Sequence, residues 1–132
     1  MRRNGDGIRL TQSEWQALGR LLSSSAPLLM LSWEHSGVAS RLVDALYADR
    51  LEYGGMFYLR PTGIGRTAFV RWIRREIADA ERDLLLFRLG RKTGFRPRIL
   101  QQLTTYGLID RRRGPLTITP LGHLVAQAPP GL

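Results

Sequence analysis

The chain has 132 residues, 43% apolar and 23% charged, which suits one ordinary domain or two very small ones around a modest core. It has no cysteine, which excludes a disulfide framework and a thiolate metal site, and no apolar run approaches the length of a membrane span. The net charge is +9, and every basic residue except Lys92 is arginine. Residues 1–59 carry six basic and six acidic groups, whereas residues 60–132 carry fourteen and five. The densest stretch, from Arg88 to Arg113, holds eight basic residues against Asp110 alone. Positive charge confined to one part of a chain calls for a polyanion bound by that part.

In chain order, residues 1–8 read as a flexible N-terminus. The start MRRNGDG leads into a polar amphipathic stretch rather than a signal-peptide core, so a cytoplasmic location is expected. Thr-Gln-Ser-Glu at 11–14 fits a capping box, and Trp15, Leu18 and Leu22 share one helical face behind it. Ser23-Ser24-Ser25-Ala26-Pro27 breaks that helix. A short apolar helix from Leu28 to about Trp33 is expected next, then a Ser36-Gly37 turn and a third helix from Val38 to Asp49. Leu51-Glu52-Tyr53, a Gly54-Gly55 turn and Met56 to Arg60 read as two short strands.

Farther on, Phe69, Ile73, Ile77 and Ala80 form an apolar stripe with Arg71, Arg74 and Arg75 outside it. No strong helix breaker lies between Thr67 and Leu89, so this region is either one long helix or two, the second capped by Asp83. Thr93-Gly94 ends the element, and Pro97 suits the first turn of a helix that stops before Gly107. Leu108 to Asp110 and Leu116 to Thr119 then form a hairpin with Arg112, Arg113, Gly114 and Pro115 near its tip. A last short helix carries Leu121, Leu124 and Val125, and residues 128–132 read as a frayed tail.

The chain also echoes itself. Slid by 57 positions, Leu28 falls on Leu85, Gly37 on Gly94, Leu42 on Ile99, Leu46 on Leu103 and Trp15 on Trp72. Downstream the offset becomes 59, with two extra residues in the second copy, and Pro61 meets Pro120. The expected fold class is therefore mainly α with short β-hairpins, in two tandem units over 9–65 and 66–127, each of three helices and a hairpin.

The stretch LQQLTTYGLIDRRRGPLTITPLGHLVA resembles the end of the winged helix-turn-helix DNA-binding domain of bacterial transcription regulators, with a weaker echo in LYADRLEYGGMFYLRPTG. That resemblance implies that the helix at 96–106 enters the major groove and that the wing at 111–115 follows the backbone. Helical spacing puts Arg98, Gln101, Gln102 and Thr105 on the outer face with Arg96 at the helix start, and these five are the candidates for reading bases. Arg91, Lys92, Arg111, Arg112 and Arg113 are the candidates for phosphate contact. At a 57-residue offset the first copy has Ala39, Asp44, Ala45 and Ala48 opposite Arg96, Gln101, Gln102 and Thr105, and only Arg41 matches Arg98. It reads as a packing or dimerisation unit.

The expected function is a sequence-specific duplex-DNA-binding protein, a transcriptional regulator with no cofactor. A homodimer or protein partner would use residues 9–65 or the helix starting near 67. Two other classes compete. Gly63-Ile64-Gly65, with Arg66 and Ala68, resembles the second half of a helix-hairpin-helix, a non-specific binder of DNA or RNA. Tandem winged helices also serve as protein-interaction modules. No enzyme is expected: His35 and His123 lack metal-ligand spacing, and Lys92 lies in GRKT, which lacks the glycines of a phosphate loop.

Overall fold

A computed structural model of the chain describes residues 8–24, 27–29, 37–110 and 114–127. The protein is mainly helical, with two short antiparallel hairpins. It divides into two units, residues 1–69 and 70–132, with the division inside a helix.

In the first unit, α1 (Gln12–Ser23) starts where the sequence places its cap. The Thr11 hydroxyl accepts from the Glu14 N–H at 3.2 Å, and the Glu14 carboxylate accepts from the Thr11 N–H at 2.8 Å. This reciprocal pair satisfies two backbone donors that no helical carbonyl can reach. After α1 come β1 (Leu28–Leu29), α2 (Val38–Asp44), β2 (Ala48–Tyr53) and β3 (Met56–Pro61). The strands form one antiparallel sheet in the order β1-β3-β2. Gly54 and Gly55 turn β2 into β3 with φ of 56° and 79°, the conformation whose twist matches that of the flanking strands. Ala17, Leu18 and Leu21 of α1, Ala39 and Leu42 of α2, and Ala48 and Leu59 of the sheet are buried.

A second group of elements begins with α3 (Gly63–Glu76), which runs across the division. It continues through α4 (Ala78–Arg88), α5 (Pro97–Thr105), β4 (Ile109–Asp110), β5 (Thr117–Ile118) and α6 (Pro120–Gln127). In the second unit Ile73 and Ile77, Ala80 and Leu84 of α4, Leu103 of α5, Leu108 and Ile109, and Leu121 and Val125 of α6 are buried. Pro97 opens α5 at a position where no N–H is needed.

Several boundaries differ from those read in the sequence. Leu28 and Leu29 are strand, paired with Leu59 and Tyr58, and not the start of a helix; residues 30–33 lie outside the described residues. A short apolar run has no period by which to tell strand from buried helix. The helix expected over 38–49 stops at Asp44, because Leu46 takes a left-handed φ of 66° and Ala48 already pairs with Pro61. Residues 67–89 form two helices that meet at Ile77, not at Asp83. Arg74 spans this bend, pairing with Glu81 of α4 at 2.9 Å and donating to the Val125 carbonyl of α6 at 3.1 Å. The residues before Gly63 form the β2–β3 hairpin, so the preceding helix of a helix-hairpin-helix is not there.

The two units repeat a set of hydrogen bonds bond for bond. Tyr47 N–H donates to the Leu42 carbonyl at 2.9 Å, and Leu108 N–H to that of Leu103 at 3.0 Å. Thr62 Oγ1 donates to the Leu46 carbonyl at 2.7 Å and accepts from the Gly65 N–H at 2.9 Å. Thr119 Oγ1 donates to the Gly107 carbonyl at 2.6 Å and accepts from the Gly122 N–H at 3.0 Å. Thr62 and Thr119 N–H groups close the set on the Tyr47 and Leu108 carbonyls, both at 3.1 Å. At Gly65 a Cβ would collide with the Tyr47 carbonyl, and at Gly122 with that of Leu108.

These bonds correct the register of the repeat. Leu42 falls on Leu103 rather than on Ile99, Leu46 on Gly107, Thr62 on Thr119, and Gly65 on Gly122. The difference upstream is four residues, about one helical turn, which leaves an apolar stripe in phase with itself. The second copy is therefore the shorter one between the shared turns, not the longer: β2 and β3 are six residues each, whereas β4 and β5 are two each among the described residues.

Candidate nucleic-acid interface

In α5, Leu103 is buried and Ile99 and Leu100 are half-buried, so the apolar stripe faces the second unit's core. Arg98, Gln101 and Thr105 are exposed at spacings of three and four, hence in line on the outer face. Arg96 is exposed at the N-cap with extended backbone (φ −61°, ψ 150°). Among the described residues, Arg91, Arg96 and Arg98 form no ion pair, and all three are exposed.

Both ends of this helix are held from behind. Phe95, just before Arg96, packs on Phe87 of α4 with ring centroids 5.0 Å apart. At the other end Tyr106 meets Trp72 of α3 edge-on at 5.5 Å. Gln102 belongs to this rear attachment: its side-chain amide donates to the Glu76 carbonyl at the end of α3, at 2.7 Å. Gln102 is thus taken out of the outer face where spacing alone had put it. Helical spacing assigns a direction but cannot see that a free carbonyl at a neighbouring helix end is within reach.

The other predicted positions divide. Lys92 is paired with Asp83, Nζ to Oδ2 3.4 Å, with both side chains largely covered. Arg111, Arg112 and Arg113 lie outside the described residues; the strands on either side, β4 and β5, pair Ile109 with Ile118 and Asp110 with Thr117. Thr104 is exposed beside Thr105 and was missed, although its spacing from Gln101 would have revealed it. The Thr104 and Thr105 hydroxyls donate to the carbonyls one turn back, Leu100 and Gln101, at 2.7 and 2.8 Å. That leaves each hydroxyl oxygen its acceptor lone pairs.

No protein-family model, curated protein or solved structure matches the chain. The internal repeat supplies the most informative comparison. In the register set by the shared hydrogen bonds, Arg98 faces Gly37, Gln101 faces Ser40, Thr105 faces Asp44 and Gln102 faces Arg41. Arg41 is therefore the counterpart of Gln102 and not of Arg98. Like Gln102 it reaches back to an earlier element: its Nε donates to the Glu14 carboxylate of α1, and its Nη2 to the Arg9 carbonyl at 2.7 Å. Ser40 and Asp44 are what α2 exposes in place of Gln101 and Thr105. The two helices share a scaffold, and only α5 carries unpaired positive charge on its outer face.

No group of three metal-ligating side chains comes together among the described residues. No helix among them is long and apolar enough to cross a membrane.

Proposed function

We propose that the chain is a duplex-DNA-binding protein of the transcription-regulator kind, built as two winged-helix units, of which the second makes the contact. In the first unit a helix is followed by a strand, a further helix and a hairpin, with sheet order β1-β3-β2. The second repeats the helix, turn and hairpin. The observation that carries the functional reading is the outer face of α5, where exposed Arg98, Gln101 and Thr105 line up behind Arg96. Arginine and glutamine have the donor geometry for guanine and adenine edges in a groove wide enough for a helix. Arg91 and the sequence run Arg111-Arg112-Arg113 supply the phosphate contacts, and Gln102 and Lys92 help to hold the structure instead.

Selection of bound fragments from a random duplex pool, followed by titration of the selected site at several salt concentrations, tests this reading. Arg98→Ala and Gln101→Ala should each relax base preference at one position, at a cost of about 1–3 kcal/mol. Triple alanine at 111–113 should weaken all duplexes alike and flatten the log–log salt slope by about 3. No salt-dependent binding, or binding untouched by both sets, would remove the reading. Tighter binding of the same sequence as duplex RNA would replace DNA with RNA as the target.

A further inference from the structure

We propose that the first unit is a self-association module, in which β2 pairs antiparallel with β2 of a second copy in a register centred on Leu51. Strand β2 borders β3 on one side, and among the described residues no strand borders it on the other. An open strand edge is a template for pairing unless something blocks it. The sheet also has an apolar face turned away from its core. The pairs Leu51–Tyr58 and Tyr53–Met56 lie on one side of the hairpin, opposite the side on which Ala48 and Leu59 are buried. Tyr53 is 65% exposed and Met56 39%, and the Tyr53 and Tyr58 rings meet edge-on at 6.2 Å.

Charge identifies the occupant. The hairpin carries Asp49, Arg50, Glu52 and Arg60, two of each sign, with Asp49 and Arg60 already 3.6 Å apart across the strands. A neutral apolar surface of this kind does not attract a polyanion, and it fits a surface that repeats its own pattern. Directly opposed residues in an antiparallel pair lie on the same face, so the apolar faces of two copies join only in registers that keep parity. Centring the pair on Arg50 sets Arg50 against Arg50, and centring it on Glu52 sets Glu52 against Glu52. Centring on Leu51 instead sets Arg50 against Glu52 twice and Leu51 against itself. Like charges directly opposite are destabilising and opposite charges stabilising, so one register of the three is favoured. The product is a continuous sheet with both apolar faces on one side.

The test is the mass of the full chain by sedimentation, over its accessible concentration range, with circular dichroism to verify that each variant folds. Wild type should dimerise reversibly. Arg50→Glu and Glu52→Arg should each raise the dissociation constant by about tenfold or more, and the double exchange should restore it. Arg50 also lies over the Phe57 ring at 5.8 Å, so Glu52→Arg, which leaves that contact alone, is the cleaner arm. Because the chain lacks cysteine, Leu51→Cys provides a readout that does not depend on charge. Opposed Cα atoms about 5 Å apart are within disulfide reach, whereas Tyr53→Cys would place its two thiols about four residues apart along the strands. Leu51→Cys should therefore cross-link under mild oxidation and Tyr53→Cys should not. A chain that stays monomeric, a double exchange that fails to restore dimers, or equal cross-linking at the two positions overturns the proposal. None of these readouts involves nucleic acid, so failure here leaves the DNA-binding proposal standing.

Discussion

The two units solve one problem with different residues. Each must end a helix, reverse into a strand and bring the chain back beneath the next helix. Each does so with a left-handed residue after the helix, a threonine that bonds both ways, and a glycine lying on a carbonyl. At the left-handed position the second unit uses Gly107 (φ 72°), and the first uses Leu46 (φ 66°), whose Cβ is crowded there. On the rear face the second unit ties its helix back with neutral Gln102, and the first uses Arg41 against a buried carboxylate. The shared bonds are those of folding. Where the units differ, on the outer faces of α2 and α5 and in the hairpins, the sequence is free to differ, and there the functional proposals lie.

The sharpest way to break the comparison is at the paired glycines. Gly65→Ala and Gly122→Ala each push a methyl into a backbone carbonyl, at Gly122 against the Ile118 side chain as well, and each should cost about 3 kcal/mol by thermal or denaturant unfolding. Gly63→Ala, with nothing within 4 Å of its added methyl, should be harmless; an equal loss there would refute the shared-turn account. Next in size is Arg41→Met. It removes the basic partner of Glu14, which is 5% exposed, and should cost about 2 kcal/mol. Gln102→Ala, which only releases a helix-end carbonyl, should cost about 1 kcal/mol and leave base preference unchanged. A Gln102→Ala variant of unchanged stability but altered base preference would return Gln102 to the outer face. The smallest effect should be a gain: Leu46→Gly relieves the left-handed strain at a residue already 42% exposed and should stabilise by about 0.5 kcal/mol.

Part of the proposed interface was legible because it depends on spacing alone. Arg98, Gln101 and Thr105 are outward for the same reason that Leu103 is inward: they lie on opposite sides of a nine-residue helix. Gln102 was not legible, because its direction depends on the Glu76 carbonyl, brought near only by the packing of α5 against α3. The repeat was visible but one turn out of register. A marker that would have fixed it was present in the sequence: Thr62-Gly63-Ile64-Gly65 and Thr119-Pro120-Leu121-Gly122 share Thr-x-x-Gly. Matching the prolines instead hid it.

By itself the amino-acid order determined the helical stripes, the capping box at Thr11, the Gly54-Gly55 turn, the proline start of α5 and the one-sided charge. Each of these is settled within a few residues by backbone sterics, hydrogen-bond supply or simple charge counting. Tertiary structure alone decided the pairing of Leu28 and Leu29 with β3, the bend at Ile77, the left-handed turn at Leu46 and the inward tie of Gln102. In each the local preference is weak or contrary, and it yields to hydrogen-bond partners and apolar contacts that lie far away along the chain.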